Sequence, residues 1–238
     1  MKADTLSVPE AIHRRRTVRH YLPDPIDPDV LTELLELTVQ APSAWNMQDR
    51  SIVVVTSEAG RARLSEAAFG QPQPREAPAA LVFVADSAAW EAPNTDIAES
   101  AGRSGAWNAE FTAMFDSRAE FRDLHNRGLL RENAVKNAMI AATYTMLAAT
   151  ALGLASAPMN GWDPDLVKKA IGIEDRDDLA IAVIVTIGHS ATIPPHPGRR
   201  PLEQVVFAER YATQPRHRPA STTQSDRRST TPDTRSAR

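Results

Sequence analysis

Residues 131–152 constrain the fold most, because this stretch has the composition of one long helix that is apolar nearly all the way round. A helix without a polar face has to be buried, either in the core or in an interface between subunits. Polar and hydroxyl side chains interrupt the run at Thr143, Tyr144, Thr145 and Thr150. It therefore does not read as a membrane span, and we expect no membrane association.

Strand patterns occur singly between helical patterns elsewhere in the chain. Short runs rich in aliphatic residues predict strands at 51–56, 79–85 and 180–187. Helical spacing and capping residues predict helices at 5–16, 28–39, 58–69 and 163–172. Residues 86–130 carry no strand signal, and residues 200–207 fit a last strand or an arm. Helices outnumber strands, which predicts a layered α+β domain around a small sheet.

Charge and composition exclude several classes of protein. The net charge is −3, and residues 214–238 contribute +4 from six Arg and two Asp, so the other 213 residues carry −7. An acidic body argues against a nucleic-acid partner. The chain has no cysteine, which excludes thiolate metal sites and cysteine nucleophiles. No secretory signal is evident, so we expect a cytoplasmic protein. We predict one domain over residues 1–213 and a disordered tail from 214 to 238.

A basic run near the N-terminus provides the first candidate site. Arg15, Thr17 and Arg19 alternate, so all three face one side of an extended segment. Guanidinium groups and a hydroxyl suit a phosphate. The alternative is a solvated helix end, where cations interact favourably with the helix dipole.

Three more segments stand out. The run from Ala41 to Gln48 lies between a helix and a strand, so its amides and hydroxyl can face a ligand; an ordinary turn would use the same residue types. The stretch from Gly153 to Trp162 reads as a helix end followed by a tight loop. Arg199 lies in the basic stretch 197–204, where a surface charge pair is the alternative. The histidines lack metal spacing, so no metal site is expected, and no glycine-rich dinucleotide fingerprint follows a strand.

These segments, taken in order, resemble the motifs of the nitroreductase family over residues 8–207. The resemblance implies a three-layer fold with a small, mostly antiparallel central sheet flanked by helices, and a homodimer with FMN at its interface. It assigns FMN contacts to Arg15, Arg16, Thr17, Arg19, Asn46, Gln48 and Arg199 from one subunit, and to Pro42, Ser43 and Ala44 from the other. A backbone donor to the flavin ring is implied within Pro158, Met159, Asn160 and Gly161. The alanines of the long helix, such as Ala141 and Ala142, are expected to bring two helices close together at or near the dimer interface.

The sequence departs from the family pattern at three places. Ala44 stands where relatives have a second serine, and Asn160 stands where many have glutamate. Asp49-Arg50 replaces a common Pro-Trp pair and is expected to alter the outer rim of the site.

Aromatic residues provide a substrate hypothesis. Trp107, Phe111 and Phe115 recur every four residues and form one stripe on a helix. Trp45, Phe111 and Phe115 are the candidates for contact with a flat acceptor; the alternative is that the stripe is simply core.

The resemblance implies an FMN-dependent oxidoreductase. NADH or NADPH would reduce FMN, and FMN would then reduce a small electron-poor acceptor, such as a nitroaromatic or a quinone, in a ping-pong cycle. No side chain stands out as a general acid or base, so no catalytic residue is assigned. Two alternatives remain open: a flavin oxidase or dehydrogenase acting on a biosynthetic intermediate, and an FMN-binding protein without turnover.

Overall fold

The structure is a computed structural model that describes residues 6–211. The described chain forms two compact units, which divide between His196 and Pro197. The predicted boundary at residue 213 and the predicted tail lie outside the described residues.

The first unit contains four strands and nine α-helices among its described residues. The strands are β1 (Arg50–Val55), β2 (Ala79–Asp86), β3 (Ala155–Met159) and β4 (Leu179–Gly188). The helices are α1 (Val8–Arg14), α2 (Pro28–Val39), α3 (Glu58–Ala67), α4 (Gln73–Glu76), α5 (Thr95–Arg103), α6 (Ala109–Ser117), α7 (Ala119–Asn126), α8 (Leu130–Ala151) and α9 (Pro164–Ile171).

The sheet has the order β1-β2-β4-β3, and every pairing between neighbouring strands is antiparallel. Strands β1 and β3 are therefore the two edges. Side chains of β2 alternate between the faces, so Leu81 and Phe83 pack on one side while Val82 and Val84 pack on the other. Helices α2 and α8 cover the first face, and α3 and α9 cover the second. This confirms the predicted three-layer α+β architecture with a small antiparallel sheet.

The predicted strands are confirmed within one or two residues, but β3 was missed. Its sequence, Ala-Ser-Ala-Pro-Met, has no β-branched residue and contains a proline. An edge strand tolerates proline, because one row of its backbone groups faces away from the ladder. Of the two alternatives for residues 200–207, the strand is not formed, because the second unit has a short 3-10 helix at Leu202–Gln204 there.

The alanines of α8 face the chain's own sheet, which corrects their expected role in a dimer. Ala138, Ala141, Ala142 and Ala149 have no exposed surface and pack against β2 and β4. Small side chains let the helix approach the sheet closely, so they serve the core of one chain. Ile140 and Tyr144 are the exposed large side chains of α8, and Leu37 and Val39 are exposed on the neighbouring α2.

No helix within residues 6–211 is both long enough and apolar enough to cross a membrane.

We expect Ala141→Leu to lower the free energy of unfolding by about 1–3 kcal/mol, because the larger side chain must push α8 away from the sheet. Lys136→Leu is the matched control, since Lys136 lies on the exposed side of the same helix. Urea unfolding of the two variants measures the difference. Equal urea midpoints in the two variants would show that the close approach of α8 to the sheet does not depend on a small side chain at position 141.

Candidate functional site

The basic segment 15–19 runs beside the edge strand β3. Thr17 forms a parallel bridge with Ser156, and the Val18 amide donates to the Ser156 carbonyl at 3.0 Å. Val18 is buried, so its neighbours Thr17 and Arg19 face the opposite side of the extended segment. Arg15 shares that spacing and is half-buried. This arrangement agrees with the side that the alternation predicts.

Arg16 has a different position from the other basic residues. Its Nη1 donates to the carbonyl oxygens of His13 and Arg15 at 2.7 and 2.9 Å. These carbonyls belong to the end of α1 and the residue after it, where backbone acceptors lack partners within the helix. Arg16 therefore supports the segment, and its Nη1 is committed to the protein backbone.

Ser156 is a polar residue beside this segment that the sequence analysis did not select. Its side chain is buried, and within residues 6–211 its hydroxyl has no hydrogen-bond partner. An unsatisfied buried hydroxyl costs about 1–3 kcal/mol. A ligand with oxygen atoms next to Thr17 would provide the missing partner.

The 42–48 loop connects α2 to β1 and includes a short 3-10 helix, Ala44–Asn46. The Ser43 hydroxyl accepts a hydrogen bond from the Gln48 amide at 2.9 Å and closes the loop. Most side chains of the loop are open to solvent; among the predicted contacts the exposed ones are Pro42, Ala44, Asn46 and Gln48.

The backbone of this loop is strained. Trp45, Asn46 and Gln48 have φ angles of 56°, 51° and 53°, in the left-handed region that L-residues rarely adopt. Each such residue costs on the order of 1 kcal/mol. The conformation therefore depends on contacts that fix it from outside the loop.

Asp49 and Arg50 do not form an outer rim, which corrects the prediction for this pair. Asp49 is 4% exposed, and its carboxylate accepts two hydrogen bonds from the Asn137 Nδ2 on α8, at 2.8 and 2.9 Å. Arg50 donates to the carbonyl of Ala41 and is half-buried. Burial raises the pKa of Asp49, and the hydrogen bonds from Asn137 oppose that shift. The pair is an internal support of the 42–48 loop.

The segment after β3 presents backbone amides. Within the described residues, neither the Asn160 amide nor the Gly161 amide donates a hydrogen bond. The Gly161 carbonyl accepts from Gln71 at 2.6 Å, and the Trp162 indole donates to the Met159 carbonyl at 2.8 Å. These two bonds fix the turn while its N–H groups stay available. Pro158 is half-buried and Met159 is buried, so both belong to the strand rather than to an open loop.

The aromatic residues divide between the 42–48 loop and the core. The Phe111 ring lies 5.1 Å from the Trp45 ring and 4.9 Å from the Trp107 ring. Phe115 is buried and forms a cluster with Met47, Ile97 and Phe121. Phe115 thus follows the core alternative, whereas Phe111 is half-buried beside Trp45. Helices α5 to α7, which occupy the unassigned region 86–130, pack on the 42–48 loop through this cluster.

The two main segments lie at opposite corners of the sheet. The 42–48 loop enters β1 at Arg50, which pairs with Ala85, whereas Ser156 pairs with Ile187, which pairs with Ala79. Three strand spacings of about 4.8 Å separate the edges, and six residues at about 3.4 Å separate the ends. On a flat sheet the corners would therefore be roughly 25 Å apart within one chain.

Arg199 lies in the second unit, where its Nη1 donates to the Gly198 carbonyl at 2.6 Å. Its predicted part in a phosphate site stays a prediction. Among residues 6–211 no three His, Asp or Glu side chains come close enough together to bind a metal ion.

Asn137 and Ser156 are the polar residues that sequence reasoning missed. Asn137 was detectable in principle, because it is an amide on the buried side of a helix whose other buried residues are alanines and Thr145. Ser156 gave no signal, since its importance comes from the bridge to Thr17, which is distant in sequence.

Comparison with known proteins gives a consistent result. The model of the nitroreductase family matches residues 12–189. An NADH dehydrogenase of Thermus thermophilus is 34% identical over 204 residues, which covers 85% of this chain and 96% of that protein. MhqN of Bacillus subtilis, named as an NAD(P)H nitroreductase, is 30% identical over 199 residues, which covers 82% of this chain and 95% of its own.

Solved structures agree with these matches. The structure of ydfN from Bacillus subtilis superposes with a TM-score of 0.75 at 30% identity and covers 84% of this chain and 97% of its own. A structure from Exiguobacterium sibiricum was determined in complex with FMN and has a TM-score of 0.76 at 23% identity. The match covers 87% of this chain and 99% of the Exiguobacterium chain. At that identity the second match shows the fold alone.

We expect Ser43→Ala to speed hydrogen exchange at the Gln48 amide roughly two- to tenfold, because the amide loses a hydrogen bond of about 0.5–1.5 kcal/mol. Ser57→Ala is the control, since Ser57 makes an equivalent bond to the Gly60 amide at the start of α3. That control should change exchange at Gly60 and leave Gln48 unaffected. Unchanged exchange at Gln48 in Ser43→Ala would mean that the hydroxyl does not close the loop.

Proposed function

The chain belongs to the nitroreductase family, and on that premise we propose that it binds FMN at a dimer interface and reduces small electron-poor acceptors by a ping-pong mechanism. Its relatives identify it as an NAD(P)H-dependent oxidoreductase. The observation that carries the FMN assignment is the Thr17–Ser156 bridge, which combines a cationic segment with a buried hydroxyl that lacks a hydrogen-bond partner within residues 6–211.

The described residues fit both ends of FMN, the phosphate and the flavin ring. Arg15, Thr17 and Arg19 would bind the phosphate and the ribityl chain, because guanidinium groups bind phosphate oxygens with charge-assisted hydrogen bonds. The amides of Asn160 and Gly161 would donate to the flavin ring. When bound, FMN would supply the hydride exchange with NAD(P)H and the electrons for an acceptor such as a nitroaromatic or a quinone.

In this proposal a second copy of the chain completes the site. The 42–48 loop and the 15–19 segment of one chain adjoin opposite edges and opposite ends of the sheet. This separation favours a flavin that contacts the loop of one chain and the basic segment of its partner. The loop of a partner would supply Pro42, Ser43, Ala44 and also Asn46, since all four lie at the same corner. The exposed apolar residues of α2 and α8 support this dimer.

The acceptor would lie near Trp45 and Phe111. These half-buried rings stack beside the 42–48 loop and offer flat apolar surface to an aromatic acceptor. An electron-poor acceptor takes up electrons readily. The main contribution required of the protein is therefore to orient the acceptor by stacking.

The test of the function is spectroscopic. We expect the purified protein to be yellow and to release FMN on heating, and we expect anaerobic NADH or NADPH to bleach the flavin absorbance. FAD as the main species would contradict the cofactor assignment. A flavin that stays oxidised would indicate a binding protein, and reduction only by another substrate would indicate an oxidase or dehydrogenase.

We expect Arg19→Ala to weaken FMN retention about tenfold or more, because it removes charge-assisted hydrogen bonds of about 1.5–3 kcal/mol. Arg14→Ala is the matched control, since Arg14 belongs to the same basic run but pairs with Glu10 on α1. Flavin fluorescence after dilution measures retention. Equal loss in both variants would point to a general charge effect rather than a phosphate contact.

A mixed dimer tests whether each site is shared. Arg19→Ala damages the 15–19 corner and Asn46→Ala damages the 42–48 corner. A hybrid of the two variants should contain one intact site and one doubly damaged site, so half of its flavin should bind with parental affinity. If each site lay within one chain, every site of the hybrid would carry one defect and no parental affinity would return.

We expect Phe111→Ala to lower kcat/KM for a nitroaromatic acceptor about two- to tenfold while FMN binding changes little, because stacking contributes about 0.5–1.5 kcal/mol per aromatic pair. Phe115→Ala provides the contrast: as a core residue it should cost about 3–5 kcal/mol of stability. Steady-state kinetics and thermal melting distinguish the two. A large stability loss in Phe111→Ala would place Phe111 in the core as well.

A further inference from the structure

Asn137 connects a buried carboxylate to the backbone of the 42–48 loop. Its Oδ1 accepts a hydrogen bond from the Ala44 amide at 3.1 Å, and its Nδ2 donates to both oxygens of Asp49 at 2.8 and 2.9 Å. Asn137 and Asp49 are each 4% exposed. Asn133, one turn earlier on α8, reaches the same carboxylate at 3.5 Å. The arrangement is a chain of hydrogen bonds from Asp49 through Asn137 to the loop.

The chemistry of the three groups fixes the direction of this chain. An ionised carboxylate only accepts hydrogen bonds, so it requires the Nδ2 end of the Asn137 amide. The Oδ1 end must then face the loop, where the Ala44 N–H is a donor. Asp49 thereby selects one of the two orientations of the Asn137 side chain, which differ little in shape but are opposite in polarity.

The 42–48 loop depends on such a tie because its backbone is strained. Trp45 and Asn46 follow Ala44 directly and have left-handed φ angles. Fixing the Ala44 amide defines where the left-handed stretch begins. The bond between Ser43 and Gln48 closes the loop on itself, and the Asn137 bond ties the Ala44 amide to helix α8.

The carboxylate of Asp49 is enclosed by the protein and has no room beside it for an electron acceptor. The cavity beside it is about 10 Å³ and is lined by Met47, Trp90 and Phe121 among others. A space of this size admits no more than one water molecule. A carboxylate enclosed in this way cannot touch an acceptor.

We propose that Asp49 and Asn137 are positioning residues that set the retention and the environment of FMN by fixing the amide of Ala44. This inference rests on the proposed FMN site, of which Ala44 forms part. In the dimer, the pair in one chain acts on the flavin held by the basic segment of its partner.

The first test compares two asparagines of α8. Asn137→Ala and Asn133→Ala each remove one donor to Asp49, but only Asn137 bonds the loop. In the full-length flavin-loaded protein, we expect Asn137→Ala to speed flavin release about tenfold and to change the visible circular dichroism band of the flavin. Asn133→Ala should change release less than about threefold. Equal release in the two variants and the parent would overturn the proposal.

The second test exchanges the amide and the carboxylate in the series of hydrogen bonds from Asp49 through Asn137 to Ala44. Asn137→Asp alone places two carboxylates in contact, which should release flavin faster and lower the melting temperature. In the double variant Asp49→Asn/Asn137→Asp, the new amide donates to the new carboxylate, which still accepts from Ala44. We expect the double variant to return to within about threefold of the parental release rate.

The double variant also separates positioning from general stability. A folded double variant with parental melting but rapid flavin release would overturn the proposal, because the buried pair would then be structural only. The recovery of both the release rate and the circular dichroism band would support it, even if Asn137→Asp or Asn137→Ala failed to fold. A parent that binds no FMN would refute the proposed function itself, whereas a parent that binds FMN and variants that retain it equally would refute only this inference.

Discussion

The close packing of α8 on the sheet is the contact on which the rest of the molecule depends. Alanines without exposed surface line the helix where it meets β2 and β4, and they allow a long helix to lie flat on a twisted sheet. The same helix carries Asn137 at the edge of this contact, within reach of the 42–48 loop. The rigid core therefore determines the position of a strained and otherwise exposed segment.

The topology of the sheet separates the two segments of the proposed site within one chain. Strands β1 and β3 are the two edges, and each functional segment is attached to a different edge. The basic segment follows β3, and the 42–48 loop leads into β1. The two edges are separated by β2 and β4. This strand order is the reason why the proposed FMN site is assigned to two copies of the chain.

Three of the eight buried polar residues within 6–211 lie at the proposed site, namely Asp49, Asn137 and Ser156. Asp49 and Asn137 satisfy each other and fix the loop, while the Ser156 hydroxyl lacks a partner within the described residues. A fully satisfied buried pair defines one geometry, and an unsatisfied buried group favours a ligand that completes it. The first arrangement suits a support, and the second suits a contact surface.

The sequence by itself determined the fold class, three of the four strands and the segments that contain the candidate residues, because hydrophobic periodicity and turn residues are local signals. It also indicated that Arg15, Thr17 and Arg19 share one side of the basic segment, since alternation in an extended chain is local as well. Only the tertiary structure decided that β3 is a strand, that Asp49 is buried, and that the alanines of α8 face the sheet. These properties depend on partners far away in sequence: β4 for β3, Asn137 for Asp49, and the sheet for the alanines. Pairing and burial across such separations leave no periodic signal in the chain, so they become visible only when the elements are packed together.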